Sequence, residues 1–267
     1  ANSRGSDILA YHLQYSDDGG SSWETVSSSI SPSATSFFIA DLLSGYYEVR
    51  LRAENARGTG GWSSIATGTI PGDFNTLSAA GNTRAGGLWS DGTTMWVSNG
   101  YFGSNEKIYA YNMSDTSRDS SKDFNTLSAA GNGHPYGIWS DGTTMWVSDY
   151  QDNKIYAYKM SDRSRDSAKD FTTLSAAGNT TPYGLWSDGT TMWVSNGYFG
   201  SNEKIYAYKM SDRSRDSPKD FNTLSAAGNT SPNGLWSDGT TMWVLDYDDD
   251  EKIYTYDLAT KAYAHRE

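Results

Sequence analysis

The side chains best spaced for chemistry are carboxylates in one short run, Asp246, Asp248 and Asp250. Alternate positions are the spacing that calcium loops use, because alternate residues can turn their oxygens toward one ion. Glu251 stands where such a loop needs its turn glycine, and a strand starting at Lys252 follows at once. The plain alternative is a solvated acidic turn. Calcium on these three residues is the one cofactor expectation the sequence offers. The three histidines, His12, His134 and His265, are too scattered for a zinc site, which needs three or four convergent ligands. Serines are abundant, but no Gly-x-Ser-x-Gly elbow accompanies them. With no catalytic constellation in view, the expectation is a protein that is not an enzyme. A second chemistry is suggested by aromatic residues among Gly, Ser and Asn. Tyr101-Phe102 and Tyr198-Phe199 lie in long loops, and Tyr150 and Tyr247 in shorter acidic ones. Flat exposed rings stack on glycans or protein ligands at little entropic cost. Rings that fold back to cap a sheet edge are the competing reading.

Composition narrows the partners. The 267 residues carry a formal charge of −11, with 14% aromatic residues, 10 Trp and 19 Tyr. A surface that acidic repels a phosphate backbone, so nucleic acid is not expected as a partner. The Arg163, Arg165, Arg213 and Arg215 turns are each flanked by Asp, which keeps them locally neutral. The absence of cysteine removes a disulfide framework, a thiolate metal site and a Cys nucleophile. No apolar run is long enough to insert into a membrane as a helix. The first residues lack the basic and apolar regions of a signal peptide, so a targeting segment is expected to have been removed or to lie upstream.

The elements that must position these groups are repeats. Asp-Phe-(Asn/Thr)-Thr-Leu-Ser-Ala-Ala-Gly-Asn starts at Asp73, Asp123, Asp170 and Asp220, at spacings of 50, 47 and 50 residues. Residues 89–111 and 186–208 are identical, so a pair of blades 97 residues long is the duplicated unit. In the third copy, strands over 183–187 and 191–195 flank an Asp188-Gly189 turn, a strong hairpin signal. A third strand is predicted over 204–210 and a fourth over 220–224. Four strands in about 50 residues is the size of a propeller blade. The Leu, Met, Val and Trp positions are expected to pack between blades. The offset of the 73–77 strand predicts that it completes the last blade and closes a four-bladed ring; two chains sharing a larger ring is the alternative.

Pro135-Tyr136-Gly137-Ile138, Asp141-Gly142, Met145-Trp146-Val147-Ser148-Asp149, Asn153-Lys154-Ile155 and Tyr158 together resemble the NHL-type propeller repeat. Lys154 replaces the family's usual Arg, and Ala85 replaces Pro in the first copy. The resemblance implies a propeller, commonly of six blades, and a fold that serves binding platforms and a few enzymes. Residues 43–58 resemble the later half of a fibronectin type III domain, which places Tyr47 at a tyrosine corner. The first two strands of such a domain have no counterpart before Ile8, so a start truncated relative to the family is expected.

The resulting expectation is an all-β chain. Residues 1–72 form a fibronectin type III-like β-sandwich, and residues 73–267 form a β-propeller of four four-stranded blades, alone or as part of a larger ring or array. Its function is binding or adhesion at the cell surface or outside the cell. A glycan or protein ligand would be held by Tyr101, Phe102, Tyr150, Tyr198, Phe199 and Tyr247. The rivals are a structural element that self-associates and a calcium-dependent lactonase or lyase. Matched Ser and Asp positions in all four copies suit a repeated surface better than an asymmetric reaction centre.

Overall fold

The structure, a computed structural model, describes residues 6–70, 72–74, 77–78, 80–100, 106–127, 130–197, 203–224, 227–247 and 252–264. It divides into two compact units, residues 1–74 with 113–116, and residues 75–112 with 117–267. Among the described residues no helix is long and apolar enough to cross a membrane.

The first unit is a single antiparallel sheet made of β1 (Ile8–Ser16), β2 (Glu24–Ile30), β3 (Gly45–Asn55), β4 (Gly58–Thr59) and β5 (Ala66–Ile70). The order is β2-β1-β3-β4, with β5 also paired to β3. Alternation along β1 sorts its faces. Tyr11, Leu13 and Tyr15 lie opposite Ala53, Leu51 and Val49 on the apolar face. His12 and Gln14 lie opposite Arg52 and Arg50 on the other. There the Arg50 guanidinium sits 3.8 Å over the Trp23 ring and donates to Gln14 Oε1. The Tyr47 hydroxyl donates to the Leu43 carbonyl at 2.9 Å, the bond a tyrosine corner makes. Of the expected sandwich the described residues form one layer. Phe37, Phe38 and Leu43 precede β3 in a segment without a strand, because no further strand offers it a ladder, and they remain exposed.

The second unit holds four three-stranded antiparallel sheets. Blade 1 is β6 (Ala85–Ser90), β7 (Thr94–Asn99) and β8 (Lys107–Asn112); blade 2 is β9 (Pro135–Ser140), β10 (Thr144–Asp149) and β11 (Lys154–Lys159). Blade 3 is β12 (Pro182–Ser187), β13 (Thr191–Asn196) and β14 (Lys204–Lys209); blade 4 is β15 (Pro232–Ser237), β16 (Thr241–Asp246) and β17 (Ile253–Asp257). The fourth segment of each repeat is reduced to isolated bridges, as at Ile155↔Phe171 and Ile205↔Phe221. Each hairpin turn is set by its Asp-Gly pair. Asp141 Oδ1 accepts from the backbone N–H groups of Thr143 and Thr144 and the Thr143 hydroxyl, while Gly142 takes φ +86°.

The inner strands β6, β9, β12 and β15 run side by side in that order. Their spacing is set by glycine: a Cβ on Gly137 would fall 2.1 Å from the Tyr183 carbonyl oxygen, and one on Gly184 2.1 Å from that of Asn233. Between successive blades lies a core. Trp146, Ile155, Ala157 and Phe171 of blade 2 pack on Leu185, Met192, Val194, Tyr206 and Tyr208 of blade 3, and equivalent clusters join blades 1 to 2 and 3 to 4. The predicted closing strand over 73–77 lies only partly within the described residues. Ile253, where a closing strand would lie, is 65% exposed, and the one bridge to β17 among the described residues is Tyr256↔Tyr263. Gly81 lies on blade 1, where the Tyr109 hydroxyl donates to its carbonyl, just as Tyr156 does to Gly131 within the array. Asn179 and Asn229, each in a glycosylation sequon, are fully buried.

Candidate functional site

The largest departure from the repeat is where the array stops. At the three internal junctions a serine hydroxyl ties one blade to the next. Ser98, Ser148 and Ser195 each donate to an inner-strand carbonyl of the following blade, those of Tyr136, Tyr183 and Asn233, at 2.5–2.6 Å. In blade 4 this position is Leu245, partly exposed. Its neighbours follow the same course. Trp236 is 58% exposed, and its ring lies 4.9 Å from Trp243 at 45°, whereas the internal Trp pairs sit at 5.3–5.5 Å and 33–35°. At the other end Leu88 is 66% exposed, although its equivalents Ile138 and Leu185 are buried.

Leu88, Trp236, Trp243, Leu245 and Ile253 line one cleft of about 480 Å³, together with residues of all four inner strands. Tyr136 and Asn233 supply its polar groups, and the Asn233 amide donates to the Tyr136 hydroxyl at 3.2 Å. The lining is otherwise apolar, which suits an apolar ligand fixed by few directional bonds.

The sequence-predicted site residues divide. Tyr101, Phe102, Tyr198, Phe199, Asp248 and Asp250 lie outside the described residues. Tyr150 is half-buried: its ring lies parallel to Tyr183 of blade 3 at 5.6 Å and 13°, and His134 meets it edge-on at 5.3 Å. Tyr136 closes the row with an edge contact to Tyr183 at 4.9 Å. Tyr247 holds the place in blade 4 that Tyr150 holds in blade 2. With no following blade beside it among the described residues, Tyr247 is 60% exposed and lines the cleft. Asp246 is buried and accepts from the backbone N–H groups of Thr230 and Ser231, as Asp149 does from His134. Its carboxylate thus staples two loops. Among the described residues no three His, Asp or Glu side chains come together as a metal would require.

Several site-shaping residues escape a reading by motif. Arg118, Arg165 and Arg215 each form an ion pair with the Asp that opens the repeat, Asp123, Asp170 and Asp220, whose carboxylates also accept from β-strand N–H groups. Arg163 and Arg213 reach the preceding repeat and donate to the carbonyls of Ser121 and Ala168. The first three arginines thus fasten turns within their own repeat, and Arg163 and Arg213 clamp one repeat to the one before it. A period-wide comparison offers the signal: the Arg and the Asp recur five residues apart in copies one to three, and Tyr263 replaces the Arg in copy four.

Burial shapes the electrostatics of the turns and tyrosines. At Asp188 burial works to raise the carboxyl's pKa, but the N–H groups of Thr191 and Thr190 and the Thr190 hydroxyl outweigh it, and the value falls below 3.8. Burial holds the hydroxyls of Tyr158, Tyr208 and Tyr256 well above the ordinary phenol range.

No protein-family model matches the chain, and no curated protein sequence matches it. Solved structures do. A crystal structure of a nidogen/laminin complex is similar over 96% of this chain and 92% of its own, with 15% identity and a TM-score of 0.50. A glutaminyl cyclase from Myxococcus xanthus is similar over 67% of each chain, with 12% identity and a TM-score of 0.46. A putative 6-phosphogluconolactonase from Bacteroides uniformis ATCC 8492 is similar over 81% of this chain and 63% of its own, with 13% identity and a TM-score of 0.42. Two of the three carry enzyme names, which corrects the expectation of a non-enzyme. On a propeller, reactive groups converge from loops of different blades, so a missing local motif does not place a chain outside the enzymes. At these identities the likeness extends to the fold: the repeat unit is a β-propeller.

Proposed function

We propose that the chain is an extracellular or cell-surface binding and adhesion module that holds a protein partner in the apolar cleft lined by its inner strands and the exposed face of blade 4. The observation that carries this reading is the contiguous exposure of Leu88, Trp236, Leu245 and Ile253 around one concavity. Exposed apolar surface of this kind, rimmed by polar groups, marks interaction sites. The blades read as NHL-type repeats, preceded in the sequence by a fibronectin type III-like sheet, and the charge of −11 favours partners other than nucleic acid.

A glycan ligand is the second reading, favoured by the Tyr247 ring standing exposed beside the hydrogen-bonded Tyr136–Asn233 pair. Tyr150 and the loop residues Tyr101, Phe102, Tyr198 and Phe199 belong to that reading. The two are separated by panning a peptide library and screening a glycan array on the immobilised chain, beside a Trp236→Ala/Tyr247→Ala variant. Peptides enriched on the parent and lost on the variant support a protein partner; glycans behaving that way support the second reading. Ligands that bind both chains equally, or none from either library, sink the cleft as the site.

A further inference from the structure

The two exposed ends of the array are halves of an interface that the molecule already makes three times. Blade 2 docks on blade 3 through Trp146 and Ile155, which pack on Leu185, Met192 and Val194. Blade 4 carries the same donors as Trp243 and Ile253, with Ile253 exposed where Ile155 is fully buried. Blade 1 carries the same acceptors as Leu88, Met95 and Val97, and residues 89–111 of that face repeat residues 186–208 of blade 3 without a single change. Leu88 is exposed and Met95 partly so, whereas Met145, Met192 and Met242 are fully buried under the preceding blade. The Tyr109 hydroxyl already donates to the Gly81 carbonyl, as the Tyr206 hydroxyl does to that of Gly178. The acceptor is thus preformed, and so is the donor.

We propose that the open face of blade 4 docks on the open face of blade 1 of a second copy of the chain, head to tail. This rests on the reading of the cleft as a protein-binding surface and names the partner. The contact places Trp243 and Ile253 of one copy on Leu88 and Met95 of the other, in the register of the blade 2–blade 3 junction. Leu245 changes the bond that accompanies it. The hydroxyl-to-carbonyl bond of the internal junctions is replaced by an apolar contact, which sets this junction apart from those within a copy. A head-to-tail contact leaves a donor and an acceptor free at its two ends, so it either closes on itself or continues.

The chain has no cysteine, which allows a clean test. Leu88→Cys and Ile253→Cys chains are prepared separately and mixed under mild oxidation. A disulfide-linked pair that forms in the mixture, and far less in either chain alone, is the expected result. Sedimentation of the unaltered chain should show association that rises with concentration. Ile253→Asp and Leu88→Asp should each weaken it about tenfold or more, since each removes an apolar contact and buries a charge. Both positions are exposed, and unchanged urea melting of the two variants confirms that they fold. A chain that stays monomeric at all concentrations overturns the proposal, as does a Leu88→Cys/Ile253→Cys double variant that links only within itself. Cleft-dependent peptide binding by such a monomer would leave the protein-binding reading standing while the second copy is lost.

Discussion

Ile205 and Ile253 hold the same place in consecutive blades, in the same Lys-Ile-Tyr context, yet one is fully buried and the other 65% exposed. The contrast extends along the two faces. Blade 3 presents Trp193, Ile205 and Ala207 to blade 4; among the described residues no further blade covers Trp243, Ile253 and Thr255 of blade 4. A blade's local sequence therefore settles its hairpins but not its energetics. Burying an isoleucine stabilises by roughly 1.5–3 kcal/mol, and that gain exists only where a neighbour is present. The open end is the same design with its last contribution missing.

The strongest way to break this comparison is the same truncation at both places. Ile205→Ala should cost about 2–5 kcal/mol in urea unfolding, because it leaves a cavity in the blade 3–blade 4 core. Ile253→Ala, measured on dilute chain, should stay within about 0.5 kcal/mol. Equal costs would mean that the end is covered after all. A second contrast uses the glycine column. Gly137→Ala drives a methyl against the Tyr183 carbonyl and should cost roughly 1–3 kcal/mol through overpacking. Gly234→Ala meets little besides the Leu245 side chain at 3.6 Å and should be far milder. The smallest effect is in acid. The folded pKa of Asp188 lies below its ordinary 3.8, so its contribution is present above that value and is lost as the pH falls through the folded pKa. Asp188→Asn should lower the urea midpoint at pH 7 but leave the midpoint in strong acid nearly unchanged. An equal loss at both pH values would mean that the turn is stabilised by packing and not by the carboxylate.

Much of the fold was legible because its signals are local. The Asp-Gly turns, the 3.6-free alternation of the strands and the 47- to 50-residue period all act over short stretches of chain, and the four hairpins fall within a residue or two of where they predict. The junctions were less legible. Ser148 reads as one serine among many until its hydroxyl is seen against the Tyr183 carbonyl, and Arg163 reads as a solvated turn residue until it meets the Ser121 carbonyl. Trp236 and Ile253 read as core, because repetition implies equal environments, and the end of the array breaks that implication. The partners of Asp246, the N–H groups of Thr230 and Ser231, are invisible in a motif because they come from a connection some fifteen residues away. Tyr150 and Tyr247 read as equivalent, and differ only because Tyr183 lies beside one of them.

The serine links have a mechanical consequence. An array held blade to blade yields from its ends when pulled: among the described residues blades 1 and 4 each have one neighbouring blade, and the release of either turns the next into the new end. Each step frees one repeat of 47 to 50 residues, and an extended chain of that length reaches roughly 170 Å. A chain built this way would lengthen under load in nearly even increments while the remaining blades stay folded.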